Sequence, residues 1–294
     1  MTNLLIFGSG GQLGYELMRA GQHDGLERTG LERSVLDITD PDAVANAIRH
    51  YSPKVVINAA AYTNVDGAED DRETAFAVNA HAPGRMAKIC KSAGAALIHF
   101  STDYVFDGEK AGAYREDDAP RPVNIYGQSK LEGETFIRNV LDRHLIIRTS
   151  WMFGVRGRNF VKTIFRLAQE KDRLTMVDNQ YSRPTAAKDL AQAVLAVASA
   201  MSDNTPWGTY HFAGVGATSW YGFATSVIEL STTWLKKCPE IEPITMSDYP
   251  TQAQRPPNTI MNCGRFTKNF AIKPASWRDD LEEVVAELAK NLND

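Results

Sequence analysis

The feature that most constrains this chain is an apolar run, Leu4-Leu5-Ile6-Phe7, that leads directly into Gly8-Ser9-Gly10-Gly11-Gln12-Leu13-Gly14. The apolar run reads as a buried strand, and the amphipathic stretch from Gln12 to Ala20 reads as a helix. Gly8, Gly11 and Gly14 then follow a Gly-x-x-Gly-x-x-Gly pattern in the turn between them. At Gly8 a Cβ would clash in so tight a turn. Gly11 lets the backbone approach a pyrophosphate, and Gly14 lets the helix pack closely on the strand. The start of that helix offers free N–H groups and the positive end of its dipole to an anion. A glycine triplet alone is a weak signal; its position between strand and helix makes a dinucleotide site the expectation.

The rest of the first half alternates in the same way. Val55–Asn58, Ala96–Phe100 and Leu145–Arg148 read as buried strands. Helices are predicted over 74–93, interrupted near Pro83, and over 127–140. Strands alternating with helices imply an α/β fold, a doubly wound parallel sheet of Rossmann type over residues 1–150. Residues 151–294 are broken by Arg183-Pro184, Tyr249-Pro250 and Arg255-Pro256-Pro257, with helices predicted at 186–201, 219–233 and 277–291. They are expected to form a smaller C-terminal substrate-binding lobe, with 175–202 packing back on the first domain.

Near the second strand, Glu27, Glu32 and Asp37 are all placed to meet the adenosine end of a cofactor, and Arg28 and Arg33 to hold a 2′-phosphate. NADH and NADPH therefore both remain open as donors. Tyr126-Gly127-Gln128-Ser129-Lys130 puts a tyrosine and a lysine on one helix face. The ammonium is expected to lower the phenol toward the working range, so that Tyr126 can act as an acid. Phe100-Ser101-Thr102-Asp103-Tyr104 leaves the end of a predicted strand, where doubly wound sheets bind ligands. There the Thr102 hydroxyl can meet a substrate carbonyl. Each element has a bland counterpart: an exposed Tyr and Lys pair, a turn threonine, a core Trp151. Together, behind a glycine fingerprint, they are far more specific.

Charge and composition narrow the class. With 32 Lys and Arg against 36 Asp and Glu, the net charge of −4 gives no footprint for nucleic acid, and no basic run suggests a membrane surface. The 43% hydrophobic content supports a sizeable core. Cys90, Cys238 and Cys263 are far apart and suggest neither a disulfide framework nor a zinc site. The Leu4–Phe7 run is too short for a signal peptide and lacks a basic flank, so a cytoplasmic enzyme is expected.

These residues resemble those of the extended short-chain dehydrogenase/reductase superfamily. Within it the chain resembles the dTDP-4-dehydrorhamnose reductases. The likeness is carried by Gly8–Gly14, Val56–Asp66, Ser101–Phe106, Tyr126-Gly127 with Lys130, and Arg148–Trp151. Asp178-Asn179-Gln180, Pro184-Thr185, Tyr249-Pro250-Thr251 and Arg255-Pro256 extend it over nearly the whole chain. It implies a dTDP-linked 4-keto-6-deoxy-L-sugar as substrate, reduced by NADH or NADPH. It implies Tyr126 as proton donor, assisted by Lys130 and Thr102. Gly8, Gly11, Gln12, Leu13 and Gly14 would hold the cofactor phosphates, with Asp37 and Ile38 beside the adenine. Ala61, Tyr62, Thr63, Phe100, Tyr126 and Lys130 would lie along the rest of the cofactor. Val65, Asp66, Thr102, Asp103, Tyr104 and Trp151 would meet the sugar nucleotide.

Some family members dimerise around magnesium held by acidic side chains. Glu16 matches one ligand position, but Lys188 stands at another, where a cation would repel the metal. No metal site is expected, and the chain is expected to be a monomer or a weak homodimer. A dehydratase is disfavoured because Tyr104, not a second carboxylate, follows Asp103. An epimerase of another nucleotide sugar remains open. So does a non-catalytic regulatory subunit resembling the methionine adenosyltransferase β subunit, since fold does not fix function.

Overall fold

The computed structural model describes residues 2–21, 26–235 and 237–290. Its parallel sheet is built around β1 (Thr2–Phe7), where alternation of side chains decides both faces. Leu4 and Ile6 enter one apolar cluster with Leu13 and Leu17, and Leu5 and Phe7 enter another with Val44, Ile48 and Met86. The sheet continues through β2 (Leu26–Leu31), β3 (Val55–Asn58), β4 (Ala96–Thr102) and β5 (His144–Thr149) to a sixth strand, Gly208–His211. The order runs from Gly208–His211 through β5, β4, β3 and β1 to β2. Every neighbouring pair is parallel. The chain moves from β1 out to β2 and then returns to β3 on the other side of β1. The β1/β3 boundary is therefore the point at which ligands enter such sheets, beyond the C-terminal strand ends.

Helices cover both faces. On one side α1 (Gln12–Arg19) lies beneath the later Ala187–Ser199 helix, whose Leu190 and Val194 share a cluster with Leu13 and Leu17. On the other side stand α2 (Pro41–Tyr51), capped by the Asp40 carboxylate, and the Ala82–Ala93 helix. The predicted 74–93 helix is three pieces: Arg72–Phe76, a π-helical turn Ala77–His81, and Ala82–Ala93. Pro83 sits in the first turn of the last piece, where its missing N–H costs least.

The Ile125–Val140 helix begins two residues before the predicted start, because Asn124 caps it by accepting the Gly127 N–H at 2.8 Å. The predicted helices of the last part run over 187–199, 220–231 and 277–290, and Asn291 lies outside the described residues. A third cluster joins Phe153, Val161, Phe165, Phe223, Val227 and Trp277 over the open end of the sheet. No helix among the described residues is long and apolar enough to cross a membrane.

Candidate active site

A cleft of about 1700 Å³ opens between the C-terminal strand ends and this third cluster. That exceeds the roughly 300–1,000 Å³ of a pocket for one drug-sized ligand, so two ligands can lie in it together. Four strand ends supply its floor: Gly8–Leu13 after β1, Ala59–Ala61 after β3, Thr102–Tyr104 at β4, and Thr149–Met152 at β5.

The glycine loop is shaped by close contacts. Gly8 has φ +77°, and a Cβ there would stand 2.6 Å from the Ala60 nitrogen. A Cβ on Gly14 would stand 2.1 Å from the Gly8 oxygen, so α1 touches the loop it follows. No side chain caps α1 at Gly11, so its first-turn N–H groups are free to bind an anion in the cleft. Uncapped donors beside a bare backbone turn fit a pyrophosphate.

The expected catalytic residues meet over β4. Thr102 ends the strand; its hydroxyl accepts the Tyr104 N–H and donates to the Asp103 carboxylate, both at 3.1 Å. It is thus a turn cap and a site residue at once, and it also hydrogen bonds the Tyr126 phenol. Lys130 is buried one helical turn beyond Tyr126 and donates to the Phe100 carbonyl at 2.6 Å. Burial lowers its ammonium to about 8. The phenol of Tyr126 is moved the opposite way from the expectation. Burial pushes it well above its ordinary value of 10, with smaller contributions from Asp103 and Tyr104, while the Thr102 bond opposes the rise. Lys130 is committed to the strand carbonyl and does not offset the desolvation of the phenol.

Asp103 is buried, with Ser182 Oγ donating to it at 3.2 Å, and burial lifts it to about 6. Trp151 adopts φ +43°, a strained backbone for a bulky residue, and its ring stacks on Trp220 at 3.6 Å. Its indole nitrogen is buried without a hydrogen-bond partner, on a cleft-lining residue.

Val65, Asp66, Ala61, Thr63 and Phe100 also line the cleft. Tyr62 does not line it; its backbone N–H and carbonyl are both bound to the Asn79 side chain. Ile38 is buried in the sheet core, and Asp37 bonds Thr39 through both the backbone N–H and the hydroxyl. At that end the wall is formed by Glu32, Arg33 and Ser34.

Several participants were not singled out from sequence. Gln180 accepts from Trp220 Nε1 at 2.9 Å and donates to the Tyr104 hydroxyl at 3.4 Å. Arg255 enters the cleft wall, pairing with Asp66 at 2.6 Å and lying over the Tyr104 ring. Beneath Lys130, the fully buried Glu134 takes a two-pronged bond from Arg148 at 2.8 and 2.7 Å. The Asp-Asn-Gln and Arg-Pro motifs pointed toward Gln180 and Arg255; Trp220 and Glu134 carry no local signature.

Of the two positions compared with magnesium-holding relatives, Glu16 is buried with the Arg19 guanidinium 4.0 Å away, and Lys188 pairs with Glu283. Among the described residues no group of three His, Cys, Asp or Glu stands where it can hold a metal.

Over residues 1–290 the chain matches the family described as RmlD substrate binding domain. It is 40% identical to the dTDP-4-dehydrorhamnose reductase of Aggregatibacter actinomycetemcomitans, across 97% of this chain and 99% of that protein. It is 38% identical to the spore coat polysaccharide biosynthesis protein SpsK of Bacillus subtilis, across 98% of each. A crystal structure of dTDP-4-dehydrorhamnose reductase from Bacillus anthracis in complex with NADP superposes with a TM-score of 0.91 at 32% identity. That match covers 98% of this chain and all of the other.

Proposed function

The chain belongs to the dTDP-4-dehydrorhamnose reductase family, and from that premise we propose that it reduces the 4-keto group of dTDP-4-dehydro-β-L-rhamnose to give dTDP-L-rhamnose, with NADH or NADPH as donor. The observation that carries this reading is the convergence of Thr102, Tyr126 and Lys130 on the cleft into which the glycine loop also opens. A regulatory subunit needs no such convergence. Bound along that loop, the reduced nicotinamide supplies the hydride for the keto carbon.

The chain's own residues handle the proton. Tyr126 keeps its proton throughout the neutral range, because burial raises the phenol, so it is poised to donate to the substrate oxygen. Thr102 orients that oxygen through its hydroxyl. Lys130, still mostly protonated at neutral pH with its value near 8 and held by the Phe100 carbonyl, brings a cation to the same cleft and is placed to meet the nicotinamide ribose. The Trp151–Trp220 stack and Phe160 form an aromatic wall on the sugar side. Arg255 supplies a cation on the sugar-nucleotide side of the cleft. We take the enzyme as cytoplasmic, a monomer or weak homodimer, with neither nucleic acid nor membrane as partner. The test is absorbance of the reduced nicotinamide on mixing with dTDP-4-keto-6-deoxyglucose pre-treated with a 3,5-epimerase. Oxidation that requires the sugar nucleotide supports the reading. Absence of oxidation from protein that binds the cofactor contradicts it.

A further inference from the structure

One side chain of the glycine loop reaches across to the other side of the cleft. The Gln12 amide nitrogen donates to the Met152 carbonyl at 3.1 Å, and its oxygen accepts from the Asn159 amide at 2.8 Å. Asn159 gathers the segment between them. Its amide also donates to the Gly154 carbonyl at 2.7 Å, and its oxygen caps the Phe160–Glu170 helix by accepting the Lys162 N–H at 3.1 Å. The segment lies against the loop and α1: a Cβ on Gly157 would stand 3.7 Å from the Gln12 Cβ, and the Arg156 guanidinium lies over the Tyr15 ring.

The two places so fastened carry the aromatic wall. Trp151 immediately precedes Met152, and Phe160 immediately follows Asn159. Phe160 packs on Trp220 with ring centroids 4.5 Å apart, and Trp220 stacks on Trp151. Both polar atoms of the Gln12 amide are thus engaged within the protein. The anion donors of the loop are instead the backbone N–H groups at the uncapped start of α1, and any replacement of the side chain by alanine leaves these in place.

We propose that Gln12 is a positioning residue for the sugar nucleotide: its amide, clasped by Asn159, holds the wall that carries Trp151 and Phe160 in its binding arrangement before the sugar arrives. The inference rests on the dinucleotide and reductase readings above. Without the clasp, the 152–159 segment has to be ordered when the sugar nucleotide binds, and that ordering is subtracted from its affinity. The loss applies equally to ground and transition states, so it falls on KM rather than kcat.

The test is steady-state reduction of the epimerised dTDP-4-keto-6-deoxy sugar, with separate fluorescence titrations of NADH and NADPH. Gln12→Ala should raise KM for the sugar nucleotide by about tenfold, with kcat and cofactor Kd each within about threefold of wild type. Asn159→Ser keeps a hydroxyl to cap the helix but loses the amide, and should give the same split. The double variant should be no worse than either single one, because both remove one clasp. Cofactor Kd raised in Gln12→Ala as much as KM would make the side chain a phosphate contact and overturn the proposal. So would an unchanged KM in both variants, or effects that multiply in the double variant. Wild type that binds neither cofactor, or binds one without oxidising it, would overturn the dinucleotide or the reductase reading respectively, and the proposal with it.

Discussion

The Lys130 ammonium donates a 2.6 Å hydrogen bond to the Phe100 carbonyl, so the cation is anchored to the strand that ends in Thr102. Tyr126 and Lys130 share one helix face, yet the helix and the strand each hold one end of the catalytic arrangement. Burial then moves the two groups apart, the phenol upward and the ammonium down to about 8.

The first prediction is a pH profile. Reduction needs Tyr126 protonated and Lys130 charged. The first condition holds across the neutral range, and the second is lost as pH rises through about 8. kcat/KM should fall on the alkaline side with a slope of one proton, centred near that value. A profile flat from about pH 7 to about pH 10 would contradict the role given to Lys130.

The second concerns the buried pair beneath the site. Glu134→Ala leaves Arg148 without its partner in the core and should cost about 3–5 kcal/mol in chemical denaturation. The Arg148 and Arg138 guanidinium groups outweigh burial and hold the Glu134 carboxyl at about 2. Its folded value is below its unfolded value, so its stabilisation is complete above about 4.5 and is lost as pH falls toward 2. A loss under about 1 kcal/mol, or one that vanishes in the neutral range, would contradict this.

Gly127→Ala tests how the site is aimed. A Cβ there would stand 2.1 Å from the Tyr104 carbonyl, pushing the first turn of the Ile125–Val140 helix off the Thr102–Tyr104 segment. kcat should drop by about tenfold or more while cofactor Kd stays within about threefold, because the glycine loop is untouched. Wild-type kcat in this variant would show that the contact does not position Tyr126.

What was legible in the sequence is what depends on local spacing. Gly8 to Gly14 and the Tyr126–Lys130 pair declare themselves because each fills one turn. β3 is legible because Val55, Val56, Ile57 and Asn58 are all buried. The bounds of β2 were not legible because it is an edge strand, and Glu27, Arg28 and Gly30 interrupt its apolar pattern. The sixth strand is four residues long and begins at Gly208. The site roles that the sequence left unassigned depend on contacts between distant segments: Arg255 meets Asp66 across 189 positions, and Trp220 meets Gln180 across 40. The expected lowering of the Tyr126 phenol failed for a related reason. Spacing shows that Lys130 is near, but only the fold shows that its ammonium donates to the Phe100 carbonyl of β4.

Trp220→Ala should act on the sugar side alone. It removes the ring stacked on Trp151 at 3.6 Å, on the cleft wall that also carries Phe160. KM for the sugar nucleotide should rise by about tenfold, with NADH and NADPH affinities unchanged. A change in cofactor affinity of similar size would contradict the division of the cleft into two subsites.

The central claim is that Tyr126 gives a proton to a keto oxygen in an NAD(P)H-dependent reduction. It is tested most directly by following reduced-nicotinamide absorbance with wild type and Tyr126→Phe on the epimerised dTDP-4-keto-6-deoxy sugar, with cofactor Kd measured for both proteins. The account predicts substrate-dependent oxidation by the wild type, a loss of roughly 10²–10⁴-fold in kcat for Tyr126→Phe, and little change in cofactor Kd. Turnover by Tyr126→Phe close to wild type would contradict it.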